Sequence, residues 1–236
     1  MSILLIFLLA LCVALGVILL FISGIAAPPG LAVIPPAVGG NSQAAEAPAV
    51  PDINDQYILI VGDSIVVGAT PELKKRFTNV TIDAKVGRSM PTGYDILQSL
   101  KESGKSKDTT VIVVSLANNI AGNSIGKAKD IIDLVQPGQR LVFVTGHGRA
   151  NMKPLNDFLR TLPDDYDWIS VADWDEAISS KAGWLASDGI HVANNKANIL
   201  YTDLVADAIQ TVLAKPAFGS SFQEKTSAAP QSSQAG

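Results

Sequence analysis

Five short apolar runs alternate with amphipathic stretches between residues 56 and 214, and this alternation constrains the fold more than any other feature of the sequence. An apolar run of this length predicts a strand that is buried on both faces of a parallel sheet. The five predicted strands occupy residues 57–61, 80–84, 110–116, 141–145 and 168–172. Apolar residues at helical spacing predict helices over residues 64–77, 94–102, 126–135, 152–162 and 196–213.

This order of elements predicts the α/β class, with a three-layer αβα sandwich around a five-stranded parallel sheet. We expect Pro71 to interrupt the first helix, because proline lacks the backbone N–H that a helix interior needs. A flavodoxin-like or receiver module shares the alternation of strands and helices. A receiver requires an aspartate at the end of the third strand, where this chain has Ala117 and Asn118.

The N-terminal part of the chain differs from the rest in composition. No Lys, Arg, Asp or Glu occurs before Glu46, and residues 3–22 form an uncharged apolar run long enough to cross a bilayer. We therefore expect residues 1–24 to be a transmembrane anchor. A cleaved signal peptide is the alternative, with Ala26 and Ala27 as a cleavage site, but its apolar core should be shorter and follow basic residues.

The remaining segments complete the predicted domain organisation. Residues 25–55 are rich in Pro and Ala and are expected to form a linker, residues 56–214 the folded domain, and residues 215–236 a disordered tail. No Lys or Arg flanks the apolar run before Lys74, so the terminal amine alone favours a cytoplasmic N-terminus. We expect a single-pass membrane protein whose folded domain lies outside the cytoplasm.

The charge and cysteine content exclude several classes of protein. The formal net charge is −4, which provides no basic surface for nucleic acid, so no nucleic-acid partner is expected. The single cysteine, Cys12, lies in the apolar run, which excludes a disulfide framework and a cysteine-based metal site. We expect neither a metal nor another cofactor.

A serine follows the first predicted strand, at the sheet edge where open α/β proteins place their active sites. Ser64 comes after Gly62 and Asp63, at the start of the first predicted helix. Such a serine is either a helix N-cap or a nucleophile whose neighbouring N–H groups could stabilise an oxyanion. The tripeptide alone does not distinguish these two interpretations.

The chain has only two histidines that could serve as a base for Ser64. His191 follows Asp188 by three residues, so the carboxylate can turn back to bind the ring N–H and orient the imidazole. His147 lies between two glycines at a predicted strand end, and the sequence places no Asp or Glu beside it. We favour His191 as the base and assign His147 to a substrate-binding loop.

Two further predicted strand ends carry candidate oxyanion donors. Gly87 can offer a backbone N–H that no side chain obstructs, and Asn118 can offer a side-chain amide. Each residue is also a common turn residue, which is the alternative interpretation. Their occurrence at successive strand ends, together with Ser64 and His191, predicts an acyl-transfer site.

These residues resemble the sequence blocks of the SGNH (GDSL-like) hydrolases. Residues 62–64 match the nucleophile block, Gly87 the glycine block, Asn118 the asparagine block, and residues 188–191 the Asp-x-x-His block. The resemblance covers the whole folded body and implies a flavodoxin-like sheet. The segments VGDSIVVGATPELKKRF and TIDAKVGRSM look most like the extracytoplasmic SGNH domain of bacterial peptidoglycan O-acetyltransferases.

One residue departs from the SGNH pattern. Leu116 stands where the asparagine block usually has glycine, so it could narrow the site or change how Asn118 is presented. Asn119 is then an alternative donor and a candidate substrate-binding residue. The departure also supports an alternative function, a non-catalytic glycan-binding or scaffold protein on an SGNH fold.

The resemblance implies a serine esterase or O-acyltransferase that acts on cell-envelope glycan through an acyl-enzyme. Ser64 would be the nucleophile, His191 the general base and Asp188 the residue that orients it. Ser64, Gly87 and Asn118 would form the oxyanion hole. The related transferases often carry a multi-helix membrane domain, whereas one spanning segment is predicted here, so a separate membrane protein would supply the acyl donor.

Overall fold

The computed structural model of the protein describes residues 49–220, which form five strands, six α-helices and two short 3-10 turns. The strands are β1 Ile58–Gly62, β2 Val80–Ala84, β3 Val111–Ser115, β4 Arg140–Val144 and β5 Ile169–Ala172. The helices are α1 Ser64–Arg76, α2 Met90–Glu102, α3 Ser124–Ile132, α4 Lys153–Asp165, α5 Trp174–Ser179 and α6 Asn195–Leu213. The 3-10 turns are Ile53–Asp55 and Ala150–Met152.

The five strands form one parallel sheet in the order β2-β1-β3-β4-β5. The chain builds outward from β1 in one direction to β2 and in the other through β3, β4 and β5. The change of direction lies between β1 and β3, where Gly62 pairs with Ser115. In open α/β sheets, this switch point at the carboxyl ends of the strands is where ligands bind.

Alternate residues of each strand face two separate hydrophobic clusters, one on each side of the sheet. Ile58 and Ile60 belong to the cluster formed with α1, α5 and α6. Leu59 and Val61 belong to the cluster formed with α2, α3 and α4. Because successive side chains of a strand point to opposite faces, this alternation builds three layers, and the predicted αβα arrangement is confirmed.

The helices differ from the sequence prediction in two respects: one additional helix is present, and the first helix is not interrupted. Helix α5 was not predicted, because its six residues are too few to show a helical period. The prediction that Pro71 interrupts the first helix is wrong, since α1 runs continuously from Ser64 to Arg76. Both Pro71 and Val67, the residue four positions before it, are exposed, so water can satisfy the carbonyl that Pro71 leaves unpaired.

The folded body extends beyond both of its predicted limits. At the N-terminal side, Ile53 is buried in the core although it falls in the predicted linker. At the C-terminal side, residues 215–220 pack onto the domain instead of beginning a disordered tail. The Arg140 guanidinium donates to the Lys215 carbonyl at 3.0 Å, and the rings of Phe218 and Trp168 lie 4.9 Å apart.

The predicted membrane anchor, most of the predicted linker and the rest of the predicted tail lie outside the described residues. Within residues 49–220, no helix is long and apolar enough to cross a membrane.

Leu116 does not enter the candidate site. It is fully buried in the cluster between the sheet and helices α2 to α4, where its side chain packs against Gly93 of α2. A Cβ atom at position 93 would collide with Leu116 Cδ1. The glycine of α2 therefore accommodates the leucine that replaces the usual glycine of the asparagine block, and the expectation that Leu116 narrows the site is wrong.

This packing predicts the effect of adding one methyl group at position 93. Gly93→Ala should lower the free energy of unfolding by about 1–3 kcal/mol, because an overpacked core must shift side chains or backbone. Urea denaturation followed by circular dichroism would measure the change. Gly68→Ala is the matched helical control, since its new methyl group would meet only Asn198 Oδ1 at 3.6 Å. Equal or greater stability of the Gly93→Ala variant would contradict the packing argument.

Candidate active site

The tight turn between β1 and α1 places Ser64 at the first position of a helix. Gly62 permits the turn, because a Cβ atom there would collide with the side chain of Val66. Asp63 is the N-cap, and its Oδ1 accepts a hydrogen bond from Ile65 N at 3.0 Å. Asp63 therefore caps the helix, which was the alternative interpretation of Ser64, and the Ser64 hydroxyl is left for another partner.

Asp63 is buried, and this burial raises its pKa to about 6. The Ile65 N–H and the Asn119 amide lower the pKa of the same carboxyl, but burial outweighs them. The carboxylate sits one residue before Ser64 and is fixed by these N–H donors. Its position explains how the helix start is held rigidly without a contribution from Ser64.

Ser64, His191 and Asp188 form a hydrogen-bonded chain. His191 Nε2 lies 3.0 Å from Ser64 Oγ, and His191 Nδ1 lies 2.6 Å from Asp188 Oδ2. An ionised carboxylate only accepts hydrogen bonds, so Nδ1 carries the ring proton and Nε2 is free to accept the proton of the serine hydroxyl. The three side chains have the geometry of a nucleophile, a base and the group that orients the base.

The loop that carries His191 is shaped by its own aspartate. Asp188 Oδ1 accepts hydrogen bonds from the backbone N–H groups of Ile190 at 2.9 Å and His191 at 3.0 Å. The loop is closed by Ala186 N, which donates to His191 O at 2.7 Å. The pKa of Asp188 lies well below its usual value. The hydrogen bond from the His191 ring is the largest cause, and the two backbone N–H groups lower the pKa further.

Gly87 lies in the loop after β2, next to the cleft that contains Ser64. Its φ of +76° is in the left-handed region, and Val86 before it lines the cleft together with Ser64 and His191. The next residue, Arg88, is buried and ties this loop to the ends of β1 and β2. Its guanidinium binds the Asp83 carboxylate at 2.7 Å and the Gly62 carbonyl at 3.4 Å. The sequence interpretation missed this anchoring role of Arg88.

Asn118 and Asn119, the two candidate oxyanion donors after β3, have different hydrogen-bond partners. Asn119 Nδ2 donates to Asp63 Oδ2 at 3.5 Å. Asn118 is buried, and its Nδ2 has no hydrogen-bond partner among the described residues. Buried amides are rarely left unpaired without a functional reason. The unpaired amide makes Asn118 the better candidate for an oxyanion donor. Its side-chain oxygen lies next to Gly146. Asn119 instead binds the Asp63 carboxylate.

His147 has a carboxylate partner that the sequence did not indicate. Its Nδ1 lies 2.8 Å from Oδ1 of Asp175, which belongs to the unpredicted helix α5. The sequence places no Asp or Glu beside His147, and its partner comes from a distant part of the chain. The partners are separated by 28 residues, and the register of β4 with β5 brings their loops together.

The cleft at Ser64 is small. Its volume is about 260 Å³, and it is lined by Val67, Gly68, Val86 and Val192 in addition to Ser64 and His191. Two larger cavities, of about 570 and 650 Å³, lie at the amino ends of the strands, away from Ser64. The smaller cleft is the better candidate for the active site, because it contains the hydrogen-bonded Ser64 and His191 side chains, whereas the larger cavities contain no comparable arrangement.

A metal site is not evident in the part of the chain that the structure describes. Within residues 49–220, no group of three or more His, Cys, Asp or Glu side chains is arranged to hold a metal ion.

The solved structures most useful for comparison share this arrangement of sheet and helices. The C-terminal catalytic domain of peptidoglycan O-acetyltransferase A (OatA) from Streptococcus pneumoniae, solved with a methylsulfonyl adduct, superposes with a TM-score of 0.60 at 21% identity, over 68% of this chain and 96% of that one. A lipolytic protein of the G-D-S-L family from Veillonella parvula superposes with a TM-score of 0.52 at 15% identity, over 64% and 96%.

The chain has the SGNH (GDSL) hydrolase fold. The resemblance predicted from the sequence blocks is thereby confirmed. No protein-family model matches the chain. The SGNH fold accounts for the positions of the nucleophile, glycine, asparagine and Asp-x-x-His blocks, which all lie at the carboxyl edge of the sheet.

The curated relatives include O-acetyltransferases. O-acetyltransferase OatA of Staphylococcus aureus (strain NCTC 8325) is 26% identical over 162 residues, which are 68% of this chain and 26% of the relative. YrhL of Bacillus subtilis (strain 168), whose name marks it as a candidate peptidoglycan O-acetyltransferase, is 21% identical over 65% of this chain and 24% of its own length. The chain thus spans about a quarter of these relatives, and they support the predicted class, an SGNH-type enzyme that acts on ester bonds.

The unpaired amide of Asn118 predicts a specific catalytic defect. If Asn118 is an oxyanion donor, Asn118→Ala should reduce kcat for p-nitrophenyl acetate by about 10²–10³, the usual effect of removing one such donor. Asn119→Ala is the matched control and should reduce kcat much less. Steady-state kinetics of the two variants would measure the difference. A larger loss for Asn119→Ala than for Asn118→Ala would reverse the assignment.

Proposed function

We propose that the protein is a serine esterase or O-acyltransferase that transfers acetyl groups on cell-envelope glycan through an acyl-enzyme. The observation that carries the proposal is the hydrogen-bonded chain of Ser64, His191 and Asp188. The resemblance to O-acetyltransferases and the shape of the cleft support the choice of substrate class.

In the first half of the reaction, Ser64 Oγ attacks the carbonyl carbon of an acetyl ester. His191 Nε2 takes the serine proton as the new bond forms, and Asp188 stabilises the imidazolium that results. The proton then passes from His191 to the leaving alkoxide. The acetyl group remains on Ser64.

The negative charge of the tetrahedral intermediate needs donors that are already in place. The proposed donors are the backbone N–H of Ser64, the backbone N–H of Gly87 and the side-chain amide of Asn118. The Ser64 N–H belongs to the first turn of α1, where the helix dipole also favours a negative charge. Such preorganised donors commonly provide the largest single contribution to acyl transfer.

In the second half, an acceptor oxygen replaces Ser64 on the acetyl carbon. His191 removes the proton of the acceptor and returns it to Ser64 Oγ as the acyl-enzyme bond breaks. A sugar hydroxyl as acceptor gives transfer, and water gives hydrolysis. The two reactions share the acyl-enzyme and differ only in which acceptor reaches it.

The size and exposure of the site favour a short acyl group on a large substrate. A cleft of about 260 Å³ is smaller than a typical pocket for a drug-sized ligand and fits an acetyl group better than a long chain. The side chains of His191 and Asp188 are 50% and 46% exposed. A polymer can therefore reach the nucleophile without entering a deep pocket.

The proposed setting is the outer side of a membrane, with the anchor formed by residues 1–24. The apolar run at residues 3–22 and the relatives' association with peptidoglycan motivate this location. A separate membrane protein would provide the acyl donor to Ser64. The alternative, a non-catalytic glycan-binding or scaffold protein, rests on Leu116, which lies buried in the core and not in the cleft.

Replacing the nucleophile tests the proposed reaction. Full-length protein should hydrolyse p-nitrophenyl acetate, and Ser64→Ala should lose nearly all of this turnover, leaving at most what binding and the oxyanion donors supply. Ser99→Ala is the matched control, because Ser99 is exposed on α2. Comparable rates for wild type and Ser64→Ala would refute the assignment.

A further inference from the structure

A second histidine–aspartate pair lies next to the loop of His191, whose side chain is hydrogen-bonded to Ser64 and Asp188. His147 follows β4, and its Nδ1 lies 2.8 Å from Asp175 Oδ1. The acyl transfer proposed above does not use this pair. The pair is partly buried, with the His147 side chain 22% exposed and that of Asp175 35% exposed.

Each oxygen of the Asp175 carboxylate accepts a hydrogen bond from a different side chain. Arg160 donates to Asp175 Oδ2 at 3.0 Å while His147 occupies Oδ1, so an ionised carboxylate bridges the two side chains. His147 Nδ1 therefore carries the ring proton, and Nε2 presents a lone pair. Among the described residues Nε2 has no hydrogen-bond partner. The ring thus has the same tautomer as His191 and offers one strong acceptor.

The surrounding charges fix this arrangement. Arg160 also binds Asp173 through two hydrogen bonds of 2.7 and 2.9 Å. Thr145 donates its hydroxyl to Asp173 at 2.8 Å and accepts the backbone N–H of Asp175 at 3.0 Å. The pKa of Arg160 is raised above its usual value, mainly by the hydrogen bonds with Asp173 and to a smaller extent by the one with Asp175. The guanidinium therefore stays charged and keeps both carboxylates in place.

The loop of His147 packs directly against the loop of the proposed base. A Cβ atom at Gly148 would collide with the Gly189 carbonyl oxygen and would approach Ile190 Cγ1 to 2.7 Å. On its other side, Gly146 is so close to Ala117 that it also has no room for a Cβ atom. His147 therefore lies between the loop of Asn118 and the loop of His191, at the same edge of the sheet.

We propose that His147 binds the acceptor sugar, with its Nε2 accepting a hydrogen bond from a hydroxyl of that sugar while Asp175 orients the ring. Asp175 is then a positioning residue, because it acts only through the ring of His147. The inference rests on the proposed acyl-transfer function and identifies where the acceptor binds. Another hydroxyl of the bound sugar would attack the acetyl carbon of acyl-Ser64, and the proton of that second hydroxyl would pass through His191 to Ser64 Oγ as the ester bond to Ser64 breaks.

The ratio of transfer to hydrolysis tests this assignment. The full-length protein is given p-nitrophenyl acetate and a β-1,4-linked N-acetylglucosamine oligosaccharide, and acetylated oligosaccharide and free acetate are both quantified. His147→Ala should lower the ratio of transfer to hydrolysis at least fivefold and raise the KM for the oligosaccharide. Asp175→Asn should change the ratio in the same direction, because the amide no longer enforces the Nδ1–H tautomer.

Two variants keep the test informative. Asp130→Asn is a matched control, since Asp130 makes a comparable ion pair with Lys127 on α3 at 2.8 Å, and its ratio should equal that of the wild type. His147→Gln retains a polar atom near the position of Nε2 and should recover part of the ratio lost in His147→Ala. Thermal unfolding of each variant establishes that it is folded.

The outcomes separate the two proposals. A ratio that stays at the wild-type value in folded His147→Ala and His147→Gln would overturn the acceptor site, even if both rates fell together, because a purely structural role lowers them in parallel. No turnover of p-nitrophenyl acetate by the wild type would overturn the proposed function itself. A lower ratio with a raised KM for the oligosaccharide would support the acceptor site.

Discussion

The parallel register of β1 with its two neighbours is the constraint on which the candidate site depends. Gly62 at the end of β1 pairs with Ala84 at the end of β2 and with Ser115 at the end of β3. The three strands therefore end next to one another at the same edge of the sheet, and the loops that carry Ser64, Gly87 and Asn118 begin side by side. Without this shared register, Ser64 would not lie beside the candidate oxyanion donors Gly87 and Asn118.

The site combines rigid backbone with groups whose charge state is set by their surroundings. Asp63 is buried and fixes the start of α1, whereas Asp188 is exposed and turns its own loop around His191. Both aspartates accept backbone N–H groups, but burial raises the pKa of Asp63 and hydrogen bonding lowers the pKa of Asp188. One carboxylate thus serves mainly to shape the helix start, and the other remains ionised to orient the imidazole.

Features with a local signature could be predicted from the sequence. The apolar runs predicted all five strands, and the spacing of Asp188 and His191 predicted their contact. Features that depend on distant contacts could not be predicted. The pairing of His147 with Asp175 requires the register of β4 and β5, and the packing of Leu116 against Gly93 requires the position of α2 on the sheet.

The C-terminal boundary of the domain also depends on distant contacts and could not be predicted from sequence composition. Residues 215–220 have a composition typical of a tail, yet Phe218 packs on Trp168 and Arg140 reaches the Lys215 carbonyl. Composition reports only the average tendency of a segment, whereas these residues are held by specific contacts. Phe218 also exchanges backbone hydrogen bonds with Gly138 and Gln139, and the Arg140 guanidinium donates twice to the Lys215 carbonyl.

The proposed reaction requires Ser64 to form a covalent acyl intermediate. The most direct measurement is rapid acid quenching of the full-length protein during turnover of p-nitrophenyl acetate, followed by proteolysis and mass spectrometry of the peptides. One acetyl group should accumulate on Ser64 during turnover and disappear as the substrate is exhausted. An acetyl group found only on other residues, or turnover with no acetylated Ser64 at any quench time, would contradict the proposed reaction.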